Sequence, residues 1–284
     1  MKFLDVKTDY AFKKVFGDVK HKNILISFLN EILDFKGDGL IKDLTIVDPY
    51  NIPMLKGMKD TFVDVKAILN DGSKVIIEMQ VLNHQGFEKR VLYNAAKNYS
   101  SQLVKGENYR LLNPVIALSI VDFEMFPETD RIINKFKLLN KESLINYTDD
   151  IELIFLELSK FKKSLKELKD IKDQWIYFIQ NAGSLEYVPE ELDKPIQEAL
   201  GIVNEANMDV DELELQYKRL EFISIQKLAI LKASNDGIEQ GESKKAIGIA
   251  KKMILRGDSI DSIVDVTDLP KEVIVEFSSN GWVK

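Results

Sequence analysis

The alternation of apolar and polar side chains predicts a β-hairpin between Thr61 and Leu82. Asn70-Asp71-Gly72 supplies the turn. One face of each predicted strand is apolar: Val63, Val65, Ala67 and Leu69 in the first, and Val75, Ile77, Met79 and Val81 in the second. Three polar side chains interrupt runs that otherwise favour burial: Asp64, Glu78 and Gln80. This hairpin is therefore the first place to look for chemistry.

The length of the turn decides whether two carboxylates come together. A two-residue Asp71-Gly72 turn would pair Asp64 with Met79 and put Asp64 and Glu78 on opposite faces. A three-residue turn, or a two-residue turn with a one-residue bulge, pairs Asp64 with Glu78. Opposed like charges destabilise an antiparallel pair, so this register needs a cation, either a divalent metal or Lys66. We expect the second register and a metal.

The rest of the chain predicts an α/β fold, with a mixed sheet of about four or five strands flanked by helices. Further strands are expected at Leu40–Val47, Pro114–Val121 and Ile151–Leu158. Pro49 and Pro53 break the strand at Leu40–Val47, and a loop is expected from Lys56-Gly57 to Asp60. The predicted domains are a core at 1–180, a helical extension and linker at 181–243, and a small helical module at 244–284. Ser234–Glu242 is polar and holds two glycines, which favours a linker or a loosely formed helix.

Composition limits the kind of metal site. The 284 residues include no cysteine and two histidines, so thiolate ligands are excluded and histidine-rich zinc sites are too. An oxygen-only site suits Mg²⁺, with Mn²⁺ as the alternative. No apolar run approaches the roughly 20 residues that span a bilayer, and the N-terminus lacks a signal-peptide pattern. We therefore expect a cytoplasmic protein without a membrane partner.

The charge is unevenly distributed along the chain. Its net value is −7, yet the first 110 residues are mildly basic and the remainder is acidic. A basic half allows a local positive surface without a high overall pI. Nucleic acid thus stays among the candidate partners.

An oxygen-only site on a hairpin fits hydrolysis of a phosphodiester. Two close carboxylates hold a divalent cation, which activates water and stabilises charge on the phosphate. Gln80 follows Glu78 on the same face, and its amide orients water but cannot accept a proton. Without further evidence, the same residues also fit the solvated face of an ordinary hairpin.

Several motifs together resemble a known family. They are Asp9-x-x-Phe12-Lys13 with Phe16-Gly17, Asp64 on the first hairpin strand, Glu78-Met79-Gln80, Arg90-x-x-Tyr93, Gln102, Gly106-x-x-Tyr109 and Leu156–Phe161. The arrangement resembles the PD-(D/E)XK nuclease superfamily and, within it, the bacterial recombination-promoting nuclease/putative transposase (Rpn-type) family. The resemblance covers residues 1–180 well and the helical C-terminal third in a general way.

The resemblance implies a restriction-endonuclease-like sheet flanked by helices, Mg²⁺ dependence and DNA cleavage. Asp64 and Glu78 would be the metal ligands, and Gln80 stands at the usual lysine position. The function expected is an Mg²⁺-dependent DNA endonuclease with little sequence preference, acting in DNA recombination or mobility. The alternative is a nuclease fold with weakened catalysis that serves as a DNA-binding or protein-interaction module.

Four more residues are candidates for supporting roles. Asp9 either adds a carboxylate to the site or caps the first helix. Lys13 and Arg90 are candidate contacts to DNA phosphates, or solvated surface charges. Gln102 either faces the site from the helix after the hairpin or caps local backbone.

The C-terminal segment has the spacing of short helices, and Ile260–Glu276 resembles a helix-turn-helix in outline. Its second helix carries Lys271 against Glu272 and Glu276, which offers little for reading bases. We therefore favour a capping role or homo-oligomerisation through these helices.

Overall fold

The computed structural model describes residues 1–51 and 61–279. The described strands are β1 (Leu44–Val47), β2 (Tyr50–Asn51), β3 (Thr61–Phe62), β4 (Val65–Leu69), β5 (Lys74–Gln80), β6 (Val115–Val121), β7 (Ile133–Leu139) and β8 (Asn146–Glu157). The described α-helices are α1 (Asp9–Phe16), α2 (Lys22–Leu33), α3 (Phe87–Ser100), α4 (Ile171–Asn181), α5 (Lys194–Ile202), α6 (Val210–Arg256), α7 (Ile260–Thr267) and α8 (Lys271–Ser279). The loop predicted from Lys56-Gly57 to Asp60 lies outside the described residues.

The predicted α/β class is confirmed, with a mixed sheet between helices as in restriction-endonuclease-like folds. Six strands form the main sheet in the order β1-β4-β5-β6-β8-β7, and β2 pairs with β3 separately. Strands β5, β6 and β8 run parallel, while the remaining pairs are antiparallel. The crossover from β5 to β6 contains α3, as parallel neighbours require. The sheet has more strands than predicted because the edge strand β7 carries no apolar periodicity.

The two faces of the sheet pack against different helices. On one face, Val75 and Ile77 join a large core with α1, α2, α4 and α5, which includes Phe16, Phe28 and Trp175. On the other face, Ile76 and strands β6 and β8 pack against Phe87, Val91 and Ala95 of α3. Successive side chains of β5 point to opposite faces of the sheet, so α1 packs on one side of this strand and α3 on the other. The same strand carries Glu78 and Gln80.

The β4–β5 hairpin has the expected register. Val65 pairs with Ile77, and the amide of Leu69 donates to Ser73 O at 2.8 Å, so Asn70-Asp71-Gly72 forms a three-residue turn. Gly72 has φ +86°, and a Cβ there would lie 2.6 Å from Oδ1 of Asn113. The positive φ favours glycine at this position, and a Cβ would in addition require the Asn113 side chain to shift. Of the two predicted routes to this register, a three-residue turn or a two-residue turn with a one-residue bulge, the turn itself takes the three-residue form.

The chain forms two compact units, Met1–Ile223 and Ser224 to the end of the described residues. The predicted boundary at residue 180 lies within the first unit, because α4 and α5 pack into the large core through Trp175, Phe178, Ile196 and Leu200. Ser234–Glu242 belongs to the continuous helix α6, which agrees with the helical one of the two predicted alternatives.

The second unit contains its own small core. Ala250 and Met253 at the end of α6 pack with Ile263 of α7 and Ile274 of α8. Among the helices that the structure describes, none combines the length and the apolarity needed to cross a bilayer.

Candidate active site

The predicted carboxylates lie at the carboxyl end of β5, where the hairpin ladder stops. Glu78 and Gln80 belong to β5, and Asp64 immediately precedes β4. The paired register of the hairpin ends at Val65 and Ile77, so each carboxylate lies one residue beyond the last pair. Burial raises the pKa of Glu78, the charge of Arg90 lowers it, and the charge of Asp64 contributes a smaller rise.

The backbone at Asp64 departs from regular strand geometry. Its amide donates to Ile77 O at 3.0 Å, although Val65 is the residue paired with Ile77. Two consecutive residues thus face one, which is the arrangement of a β-bulge. Val63 consequently packs on the α3 face and Val65 on the opposite face. The prediction that these two valines share a face was wrong.

The side chain of Asp64 is held against β5 by a backbone hydrogen bond. Its Oδ2 accepts from the amide of Met79 at 2.8 Å. Because the bulge interrupts strand alternation, this bond rather than the pleat sets the direction of the carboxylate. A bulge next to an active site commonly redirects a side chain in this way.

Two cations offset the paired carboxylates. Lys13 Nζ of α1 lies 3.2 Å from Asp64 Oδ1, and Arg90 Nη2 of α3 lies 2.5 Å from Glu78 Oε1. The cations reach the site from opposite faces of the sheet. The expected compensation was a metal or Lys66, and Lys13 and Arg90 were expected to contact phosphates or to be solvated surface charges.

Burial raises the pKa of both carboxyl groups. At Asp64, desolvation outweighs the opposing effects of the Met79 amide and the Lys13 ammonium, and the charge of Asp9 raises the pKa further. At Glu78, desolvation outweighs the favourable charge of Arg90. Two desolvated anions with raised pKa values favour any cation that enters between them.

Gln80 supports Arg90. Its Oε1 accepts from Arg90 Nη2 at 2.6 Å, and its Nε2 donates to Leu82 O at 2.6 Å. The same guanidinium nitrogen therefore contacts both Glu78 and Gln80. Both polar atoms of the Gln80 side chain are therefore hydrogen-bonded within the protein, and one of them holds the guanidinium of Arg90.

Asp9 is near the site without completing a ligand cluster. Thr8 is the N-cap of α1 and accepts from the Ala11 amide at 3.3 Å, while Asp9 pairs with Arg219 at 3.3 Å. In residues 1–51 and 61–279, no group of three or more Asp, Glu, His or Cys side chains has metal-binding geometry. An ion held by Asp64 and Glu78 would complete its shell with waters and substrate oxygens, as Mg²⁺ commonly does.

Gln102 does not face these residues. Its amide exchanges two hydrogen bonds with the backbone of Asn113, at 2.8 and 3.0 Å. Asn113 lies beside the turn glycine Gly72, at the opposite end of the sheet from Glu78. Of the two predicted alternatives, the structure shows the one in which Gln102 caps local backbone.

The ion pairs of Lys13 and Arg90 were missed because sequence spacing alone does not reveal which charges converge. The place of Arg90 in the sequence gave a partial indication that this residue lies near the end of β5. It lies in the first turn of α3, which follows β5 after a short loop and therefore begins at the carboxyl end of that strand. For Lys13, on the other face, no comparable signal existed.

Comparison with known proteins places most of the chain in one family. The model of the PD-(D/E)XK nuclease family transposases matches residues 6–233, which include the whole sheet and both site helices. Neither the curated proteins nor the solved structures include a significant match.

Proposed function

Because the chain belongs to the PD-(D/E)XK nuclease transposase family, we propose that it is a metal-dependent DNA endonuclease with low sequence specificity, acting in DNA recombination or mobility. The observation that carries this proposal is the pair of partly buried carboxylates, Asp64 and Glu78, with a cation against each. Hydrolysis adds one water across a P–O bond of DNA and leaves a phosphate monoester and a hydroxyl group.

The proposed cofactor is Mg²⁺, with Mn²⁺ as its alternative. Asp64 and Glu78 provide carboxylate oxygens, the donors that these ions prefer. When bound, the ion supplies an activated water and offsets negative charge on the phosphate. The raised pKa values support this assignment, because each desolvated carboxylate gains from a nearby positive charge.

Gln80 and Arg90 form the second part of the proposed site. Gln80 holds the guanidinium of Arg90 in place, and the side chain of Arg90 is 41% exposed. A guanidinium in this position suits a DNA phosphate, which it contacts with parallel donors. Phosphate contacts carry no sequence information, which supports low specificity.

A second candidate function is a DNA-binding or protein-interaction module with weakened catalysis. One observation favours it: Lys13 and Arg90 already neutralise the carboxylates, and both polar atoms of Gln80 are engaged. A site whose charges are balanced without a metal can still contact a DNA phosphate through its cations. Cleavage, in contrast, requires the metal ion. Homo-oligomerisation through α7 and α8 also remains a proposal.

Supercoiled plasmid separates these functions. The purified full chain should nick or linearise the plasmid with Mg²⁺ or Mn²⁺ and should leave it intact with EDTA, because cleavage requires the ion. The products should map to many positions rather than to one sequence. A gel-shift assay on the same DNA with EDTA measures binding alone.

Binding without cleavage in either metal would contradict the endonuclease and support the binding module. Cleavage that continues in EDTA would contradict the metal dependence. A discrete set of fragments from the plasmid would contradict the low specificity.

A further inference from the structure

We propose that Lys13 is a catalytic residue of this site, whose ammonium stabilises the negative charge that develops on the phosphate during cleavage. This inference rests on the proposed function. It begins from Gln80, the third residue of the site, which carries no charge and whose two polar atoms bond to Arg90 and Leu82. A charged donor for the phosphate must therefore come from another element.

The position of Lys13 fits this role. Its Nζ lies 3.2 Å from Asp64 Oδ1, on the side of the sheet opposite Arg90. An ion bound by Asp64 would repel the ammonium from the carboxylate, and a phosphate that shares the ion would attract it. The side chain is 45% exposed, so the ammonium has room to make this short displacement.

The backbone that carries Lys13 is held firmly on both sides. Phe12, Val15 and Phe16 are buried in the large core. Another side of α1 is bound to the first turns of α6 by Thr8–Gln216 at 2.7 Å, Tyr10–Glu212 at 2.6 Å, Lys14–Glu212 and Asp9–Arg219. A fixed backbone with a movable tip is suited to presenting a charge at one point.

Glu212 shows how strongly this attachment is built. Its carboxylate accepts from Lys14 and Tyr10, and these bonds lower its pKa to about 2. The neighbouring Lys14 is thus committed to α6, while Lys13 faces Asp64. The two adjacent lysines therefore have different tasks, and Lys13 is the one available to substrate.

The absence of cysteine from the chain permits a direct test. In Lys13→Cys, the introduced thiol is the single reactive one, and alkylation with 2-bromoethylamine restores an ammonium at nearly the length of lysine. Alkylation with iodoacetamide gives a neutral control. Lys20→Cys, at an exposed lysine beyond α1, receives both treatments as the matched position.

We expect Lys13→Cys to lower kcat for plasmid cleavage about 10²-fold, the usual effect of removing one donor that stabilises a transition state. Aminoethylation should restore most of the rate, iodoacetamide should not, and Lys20→Cys should cleave like wild type throughout. Affinity for Mn²⁺, measured by calorimetry, should be equal to or higher than that of wild type because a competing cation is gone.

Three results would overturn the inference. The first is an unchanged kcat in Lys13→Cys with weaker DNA binding, which would make Lys13 a simple phosphate anchor. The second is a rate that stays low after aminoethylation confirmed by mass spectrometry. The third is lost Mn²⁺ binding, which would assign Lys13 a structural role. A wild-type chain that cuts no DNA would instead defeat the proposed function and this inference together.

Discussion

Asp64→Asn and Glu78→Gln should each lower the rate of plasmid cleavage by at least about 10³-fold, which corresponds to the several kcal/mol that a metal-bound water and phosphate contribute. Each substitution keeps the size of the side chain and removes one anionic ligand. In Asp64→Asn, the amide oxygen of the new side chain can still accept from the Met79 amide, so the local bulge should persist.

The same variants should be at least as stable as wild type without metal at neutral pH. Burial raises the pKa of Asp64 and Glu78, so the folded state favours their protonated forms. The penalty is present when they are ionised and disappears as the pH falls through the raised values. A neutral amide removes it at every pH.

Thermal unfolding at pH 7.5 and pH 5 measures this effect, with Glu88→Gln as the control. Glu88 is an exposed carboxylate in the first turn of α3, and its replacement should change neither activity nor stability. Cleavage within tenfold of wild type by either site variant would contradict the assignment of the ligands. A large loss of stability would show that the carboxylates are structural.

Glu157→Gln should destabilise the chain by about 3–5 kcal/mol, as breaking a buried ion pair does. Glu157 is fully buried, and its oxygens accept from the amides of Met125 and Phe126 and from Asn134 and Lys160. A neutral amide offers one acceptor oxygen and turns an NH₂ group toward donors. The ammonium of Lys160 is then left without its counter-charge.

This pair matters to the site because it lies at the same end of the sheet. Glu157 pairs with Val121, which pairs with Gln80. Lys160 also donates to the carbonyl oxygens of Phe126 and Thr129, so the ion pair secures the segment that follows β6.

Urea unfolding monitors the change, and Glu142→Gln is the matched control at an exposed position. The control should shift the free energy of unfolding by less than about 0.5 kcal/mol. Adding Lys160→Met to Glu157→Gln should cost less than the sum of the single changes, because neither charge is then left alone. Losses below about 1 kcal/mol for Glu157→Gln would contradict the account of this buried pair.

The elements with strong local signals were predictable from sequence. Val115–Val121 is a continuous apolar run and forms a fully buried strand. The three-residue turn follows from Gly72, whose left-handed conformation closes the hairpin and fixes its register. Turn chemistry and burial both act over a few residues, which is why pattern alone captures them.

The remaining features depend on contacts distant in sequence. Val63 and Val65 face opposite sides because the ladder ends in a bulge that the alternation does not encode. The two glycines of Ser234–Glu242 favour a linker or a loosely formed helix, yet the segment is part of the 47-residue helix α6. Intrinsic helix propensity is a weak preference, and the surrounding helix overrides it. Gln102 was expected either to face the site from the helix after the hairpin or to cap local backbone. It binds the backbone of Asn113, at the end of the sheet opposite Glu78.

For the candidate site too, the residues could be named from the sequence, but their contacts with one another could not. Asp64, Glu78 and Gln80 were proposed because polar residues interrupt apolar strands. In the structure, Glu78 and Gln80 lie among the last residues of β5, and the charge of Asp64 reaches Glu78. Lys13 and Arg90 were named for their charge alone. Their pairing with the carboxylates depends on helices that cover opposite faces of the sheet, which no local pattern specifies.

The central claim is that Asp64 and Glu78 bind one divalent cation. Anomalous diffraction from crystals soaked in Mn²⁺ tests it most directly, because the signal locates the ion without assumptions about activity. We predict one peak within about 2.1 Å of an oxygen from each carboxylate, with Lys13 displaced from Asp64. A saturating soak that leaves Asp64 paired with Lys13 and Glu78 paired with Arg90, with no peak between the carboxylates, would contradict the account.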